Sequence, residues 1–239
     1  MQDLQISIII PTLHEADRIG RLLLHLDTIA TTTAIQEVII ADGGSTDTTV
    51  DAIQAVKNKL QNIPKATIIT VPKGRARQMN AGAALAKGNL LYFLHADSFP
   101  PSGFDAHIVQ KVAQGHQAGC FRMRFDSNHW WLRLASWLTQ FSWRACRGGD
   151  QSQFITTALF KELGGFDERF EIYEDNDLIN KLYARKEFVV IQKKITTSSR
   201  RYQNNGIWKL QYHFWAIYVK KWLGASADEL HQYYRKHIA

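Results

Sequence analysis

Between Val38 and Asp47, four apolar residues (Val38-Ile39-Ile40-Ala41) run directly into the acidic, hydroxyl-rich turn Asp42-Gly43-Gly44-Ser45-Thr46-Asp47. A continuous apolar run of this kind reads as a strand buried on both faces, and such strands belong to parallel sheets covered by helices. The polar groups at its C-terminal end then fall on the sheet edge where open α/β folds bind ligands. Leu90-Leu91-Tyr92-Phe93-Leu94 repeats the pattern and ends in His95-Ala96-Asp97-Ser98. A third acidic cluster, Glu174-Asp175-Asn176-Asp177, lies far along the chain. Carboxylates gathered in this way point to an enzyme for a phosphorylated substrate with a divalent metal.

The order of elements supports that reading. Ile6 to Ile10 reads as a strand, and Ile19, Leu22, Leu23 and Leu26 recur at helical spacing between Ala16 and Ala30. Val38 to Ala41 is the next strand, followed by a helix capped by Ser45 or Thr46 with Val50, Ile53 and Val56 on one face. Ala66 to Val71, a small-residue helix from Arg77 to Ala86, and Leu90 to Leu94 continue the alternation. Strands separated by helices of crossover length, through about residue 115, predict a mostly parallel sheet between two helical layers. The rhythm then breaks. Cys120 to Phe125, Phe154 to Thr157 and Val189 to Ile191 read as strands, Asp175 to Ala184 and Ile207 to Trp222 as helices.

Two cysteines, Cys120 and Cys146, form no metal-spaced motif and no disulfide framework. No run approaches 18 apolar residues, and no basic, apolar leader precedes the first strand. A cytoplasmic protein, free or peripheral on the inner face of the membrane, is the expectation. The net charge of +7 is uneven: from Leu178 onward twelve Lys and Arg face three acids. Such a surface suits phosphate groups, anionic lipid, nucleic acid or plain solvent.

A dinucleotide site should carry G-x-G-x-x-G after the first strand, but Pro11-Thr12-Leu13-His14-Glu15 stands there, and no G-x-x-x-x-G-K-[ST] occurs anywhere. Nucleotide recognition by strand-end carboxylates remains. Asp97 is the candidate metal ligand, or else a cap for the turn at Ser98. Asp42 is placed for base or ribose, or for a turn. Asp47 suits the amides of the following helix. Arg75 and Arg77, after Gly74, are phosphate partners or surface arginines. Asp175 is the candidate general base, unless its acidic cluster only caps a helix, and Arg200-Arg201 could hold a diphosphate leaving group.

Together these motifs resemble the family 2 glycosyltransferases of GT-A fold, inverting enzymes that use nucleotide-activated sugars, and especially their small soluble bacterial and cyanobacterial members. The resemblance runs from Ile6 to about Arg201. Ile10-Pro11-Thr12-Leu13-His14-Glu15 is similar to the family's strand and Pro-x-x-Asn-Glu loop, with His14 in place of Asn and Glu15 on the nucleoside-holding Glu. Asp42 falls on the base-reading Asp. Gly74-Arg75-Ala76-Arg77-Gln78 to Gly82 resembles the loop and helix that close over the nucleotide. His95-Ala96-Asp97 occupies the D-x-D position, so Asp97 carries over as the ligand for Mn²⁺ or Mg²⁺, while His95 departs from the first Asp. Asp175 matches the acceptor base, and Asp150, in Gly148-Gly149-Asp150-Gln151, an acceptor-side residue that orients the nucleophile.

The implied fold is a GT-A-like three-layer α/β/α domain over residues 1–239 with a Rossmann-like N-terminal half. Residues 1–115 would bind nucleotide, 116–206 the acceptor, and 207–239 would form a basic aromatic tail. The implied reaction moves a sugar, with inversion, from a nucleotide-diphosphate sugar to a glycan or lipid-linked hydroxyl. A nucleotidyltransferase and a non-catalytic nucleotide-sugar scaffold are the alternatives; nucleic acid is not an expected partner. In the tail, residues 207, 210, 214, 217 and 218 form an apolar stripe, and Trp208, Trp215 and Trp222 recur every seven residues beside Lys209, Lys220 and Lys221. Core packing, a homodimer seam and membrane contact through residues 207–223 all fit this pattern.

Overall fold

The computed structural model describes residues 3–238. In chain order its elements are β1 (Ile6–Thr12), α1 (Ala16–Ile29), β2 (Ile35–Asp42), α2 (Thr49–Lys57), β3 (Ala66–Thr70), α3 (Arg75–Leu85), β4 (Leu90–Phe93), β5 (Ser98–Phe99) and α4 (Phe104–Ala113). Then follow β6 (Ala118–Phe125), α5 (Trp130–Leu138), β7 (Gln153–Thr156), α6 (Thr157–Glu162), α7 (Glu174–Ala184), β8 (Phe188–Thr197), α8 (Arg200–Asn205), α9 (Ile207–Trp222) and α10 (Ala227–His237).

The strands form one sheet in the order β3-β2-β1-β4-β7-β6-β8-β5. Its first four strands are parallel, as the alternating pattern predicts. Beyond β4 the sheet becomes mixed: β7 is antiparallel to β4 and to β6, β8 is parallel to β6, and β5 is antiparallel to β8. The whole curls into a half-barrel instead of lying flat like a Rossmann sheet. Alternation along β1 shows how helices cover both faces. Ile6, Ile8 and Ile10 pack with Leu22, Leu23 and Leu26 of α1, whereas Ile9 packs with Met79 of α3, Phe160 of α6 and Leu178 of α7. Each fully buried isoleucine contributes ~2 kcal/mol of transfer free energy. Gly82 lets α3 approach so closely, because a Cβ there would stand 2.6 Å from Ile9 Cγ2.

Several boundaries differ from the sequence reading. The second helix starts at Thr49 after Thr48, not at a Ser45 or Thr46 cap, because Ser45 is drawn back to Asp42. The last strand runs on to Thr197, extended by its register with β6. The helix from Ile207 ends at Trp222 as predicted. Its stripe faces inward: Leu210 and Ile217 are buried with Phe170, Leu230 and Ile238, while Trp208, Trp215 and Trp222 stay exposed. Among the described residues, no helix is long and apolar enough to cross a membrane.

Candidate active site

The register brings the strand ends together. Thr12 at the end of β1 lies opposite Asp42 at the end of β2, but β4 stops beside Ile9 with Phe93. His95-Ala96-Asp97 therefore leaves the sheet near Pro11 and Thr12, on the wall of the same cleft. Because β7 is antiparallel to β4, with Gln153 opposite Phe93, the turn Gly149–Gln151 begins where β4 ends. Ser98 pairs with Thr197 at the end of β8, so the residues that follow, Arg200 and Arg201, reach the same place. The result is a cleft of ≈ 370 Å³ whose wall includes Pro11, Thr12, Glu15, Gly74, Arg75 and Gln78. Facing them are His95, Ala96, Asp97, Asp150, Arg200 and Arg201. Asp42 and Asp175, both buried, do not line it.

Asp42 is held by its own turn and by Thr12 at the end of β1. Its Oδ1 accepts from the Thr12 hydroxyl at 3.2 Å and the Ser45 hydroxyl at 2.6 Å, and its Oδ2 from the amides of Gly44 and Ser45. The turn knits onto the loop after β1, where Ser45 Oγ accepts from the His14 amide and Thr49 Oγ1 from the Glu15 amide. Gln78 closes the same corner by donating to the Thr12 and Ala41 carbonyls at 2.8 and 2.7 Å. Asp47 accepts from the Thr49 amide and hydroxyl at the start of α2.

The acidic centre lies below the cleft at the start of α7. Tyr173, in the left-handed region at φ 77°, turns the chain into the helix; this conformation costs a non-glycine residue about 1–2 kcal/mol. The next two carboxylates are buried. Arg75, on the cleft wall, reaches both, with Nη1 3.0 Å from Glu174 Oε1 and 3.3 Å from Asp175 Oδ2. The Glu174 contact is an ion pair without an aligned donor, and neither Glu174 oxygen accepts a hydrogen bond. Burial first, and then the Glu174 carboxylate, push Asp175 up from its ordinary 3.8 to about 6; the Arg75 guanidinium pulls against this shift. Arg75 thus pairs with both acids while also lining the cleft.

Gly149 presses on the same carboxylate. A Cβ at this position would lie 1.9 Å from Asp175 Oδ2 and 3.0 Å from His95 Cε1. Gly149 does not have a positive φ, so glycine is needed there for space and not for conformation. Gly149→Ala is expected to displace the Asp175 side chain and lower turnover by about a hundredfold, as misplacement of a reacting group by an ångström can. A circular dichroism spectrum matching the parent, with turnover unchanged, would contradict that placement.

Around the cleft the charges are graded. Burial, followed by Arg75, keeps His95 below its ordinary value, so the imidazole is neutral at pH 7; its Nδ1 lies 3.8 Å from Asp150 Oδ1. Asp97 is raised by burial first and then by Asp150. Glu15 is likewise raised by burial, against the pull of Arg200, whose Nη2 is 3.2 Å from Glu15 Oε1. Lys73 and Arg201, both exposed on the wall, enter no ion pair among the described residues. Lys73, Glu171, Tyr202 and Phe214 complete the wall without any local sequence signal. They come from loops and helices that only tertiary packing brings near.

Among the described residues, no cluster of three or more His, Cys, Asp and Glu forms a metal cage. Asp97 nevertheless fits a shared site, since Mg²⁺ or Mn²⁺ on a diphosphate needs only one or two protein carboxylates. Its raised pKa has the same physical cause: a carboxylate removed from water beside another acid would be relieved by a cation.

The family model described as Glycosyl transferase family 2 matches residues 7–166. A PGL/p-HBAD biosynthesis glycosyltransferase of Mycobacterium tuberculosis is 29% identical over 204 residues, covering 81% of this chain and 75% of the relative. Among solved structures, the mannosyltransferase PcManGT from Pyrobaculum calidifontis, in complex with GDP-Man and Mn²⁺, superposes with a TM-score of 0.70 at 17% identity, covering 98% of this chain and 70% of that one. S. aureus TarS superposes with a TM-score of 0.66 at 17% identity; the match covers 87% of this chain but only 39% of TarS. These structural likenesses are likenesses of fold.

Proposed function

The chain belongs to glycosyl transferase family 2, and from that premise we propose that it transfers a sugar, with inversion, from a nucleotide-diphosphate sugar to a hydroxyl acceptor. The observation that carries this reading is the Asp175 carboxylate: buried, raised to about 6, and set beneath a cleft that offers both a carboxylate and free cations. A base with that value is ionised at pH 7 and still basic enough to take a proton. In the proposed step the acceptor oxygen attacks the anomeric carbon while its proton passes to Asp175. The bond from that carbon to the diphosphate breaks, and the nucleoside diphosphate departs with the electron pair. Arg201 and Lys73 neutralise the departing oxygens at the cleft wall, with Arg200 beside them. His95, neutral, and Glu15 lie on the wall where the nucleoside would be held. Asp42 shapes that wall through its turn. Asp150 is placed to orient the acceptor hydroxyl. A divalent cation held by Asp97 would neutralise diphosphate charge.

The donors to try first are GDP-Man, bound in the similar PcManGT structure, and UDP-GlcNAc, bound in the similar structure of S. aureus TarS residues 1–349. Incubation of the protein with each, in Mn²⁺ or Mg²⁺ and with cell-extracted lipid and glycan fractions, should release nucleoside diphosphate. An acceptor-dependent product linked through the opposite anomer supports the reading; a product of unchanged anomeric configuration refutes inversion.

Activity should fall as the pH drops below about 6, where Asp175 takes up its proton. Glu174→Gln removes the neighbouring negative charge and should move that acid limb of kcat/KM about a unit lower. A limb that stays in place would exclude Asp175 as its origin.

A further inference from the structure

On the outer part of the sheet, β6 and β8 form with α5 a groove of ≈ 730 Å³ that the transfer chemistry does not use. Four cations line it (Arg122, Arg124, Arg133 and Lys194) against a single carboxylate, Asp126. The Asp126 Oδ1 already accepts from the Ser199 amide at 2.6 Å. None of the four cations is ion-paired among the described residues. The strand register sets Arg122 directly beside Lys194, and like charges on adjacent strands repel. Arg122 Nε is also buried without a hydrogen-bond partner. Of the four cations, only Arg124 donates a side-chain hydrogen bond among the described residues, to Thr196 Oγ1 at 3.1 Å.

The rim is aromatic. Trp130 and Trp137 line the groove with 59% and 52% of their surface exposed, and Leu134 lies between them on α5. From Trp130 the aromatic surface continues onto α9 through Trp208, at 5.7 Å between ring centroids. Uncompensated cations rimmed by half-exposed tryptophans match the chemistry of a bilayer interface, with phosphate at one depth and hydrocarbon just below. We propose that this groove docks the protein on an anionic lipid surface, with headgroup phosphates between the four cations and the α5 tryptophans seated at the interface. Phe125 lines both the groove and the catalytic cleft, so docking brings the cleft beside the bilayer. The dock does not depend on the sugar-transfer reading.

Flotation of the full chain with vesicles rich in phosphatidylglycerol, and with pure phosphatidylcholine vesicles, tests the dock. The protein should float with the anionic vesicles only, and high salt should release it. Arg124→Glu with Arg133→Glu should weaken binding by roughly tenfold or more. A reversal of equal size on α10, Arg235→Glu with Lys236→Glu, should leave binding nearly intact. Trp137→Ala should weaken binding with the charges unchanged. Absence of flotation, or equal losses from the two charge reversals, would overturn the proposal. Release by soluble glycerol phosphate would identify a site for a free phosphate and overturn it as well.

Discussion

Asp175→Asn is expected to abolish most sugar transfer, by about 10²- to 10⁴-fold, the contribution of a positioned general base. Donor affinity should stay near the parent value, because Asp175 lies beneath the cleft and not on its wall. The same variant should be more stable at pH 7. Folding raises the Asp175 pKa from 3.8 to about 6, so the stability tied to its bound proton is complete below pH 3.8 and lost as the pH rises through 6. At neutral pH the native protein carries this carboxylate as a cost, and asparagine removes it. Thermal melts at pH 5 and pH 7.5 check the sign: the advantage of the variant should be larger at pH 7.5. Lower turnover with higher stability is the signature of a group kept for chemistry. Full transfer by the variant would remove Asp175 from the mechanism.

Arg147→Met should have the largest effect on stability. Arg147 is 3% exposed and has no carboxylate partner among the described residues. Its guanidinium donates instead to the carbonyls of Thr139 and Phe141 at 2.7 and 2.8 Å, to Trp143 O at 3.4 Å, to Gln151 Oε1 at 2.6 Å and to Cys120 Sγ at 3.3 Å. These bonds hold the chain from Thr139 to Gln151, which carries Gly149 and Asp150. Methionine fills some of the volume but leaves several buried acceptors unpaired, at roughly 1–3 kcal/mol each. A loss of about 3–5 kcal/mol is expected, lowering the melting temperature by on the order of 10 °C. Turnover should fall in the material that remains folded, because the Gly149 backbone would no longer confine Asp175. A variant with parental melting temperature and turnover would show that the loop is held by other contacts.

The sequence made legible whatever depends on local pattern. The apolar runs located β1, β2 and β4 because a doubly buried strand must be apolar throughout, and the 3.6-residue spacing located α1 and α9. Strand-end reasoning offered Asp97 and Arg201, and the family resemblance added Glu15 and Asp150; all four line one cleft. Neither could show that Asp42 spends both oxygens on Thr12 and its own turn, or that Arg75 pairs with Glu174 and Asp175. Those outcomes depend on distances between residues up to 100 positions apart. No local pattern in the sequence marks Arg147, which only the fold buries. α10 was legible but unread: Ser226 and Glu229 form a capping box, with Ser226 Oγ accepting from the Glu229 amide and the Glu229 carboxylate from the Ser226 amide. Its mostly polar face, with Leu230 the buried anchor, hid the helix from a search for apolar periodicity. The mixed outer half of the sheet was equally hidden, since antiparallel β7 is only four residues long and pairs with strands far from it in sequence.

The central claim is that the cleft holds a nucleoside diphosphate, with Asp97 supplying the carboxylate for its cation. Calorimetric titration of the protein with UDP, GDP and CDP, each with and without Mn²⁺, tests it most directly, alongside the same titrations of Asp97→Asn. The expected result is micromolar binding of one diphosphate, strengthened by Mn²⁺ in the parent and insensitive to Mn²⁺ in the variant. Absence of binding by all three nucleotides in both conditions, or an equal response to Mn²⁺ in parent and variant, would contradict the claim.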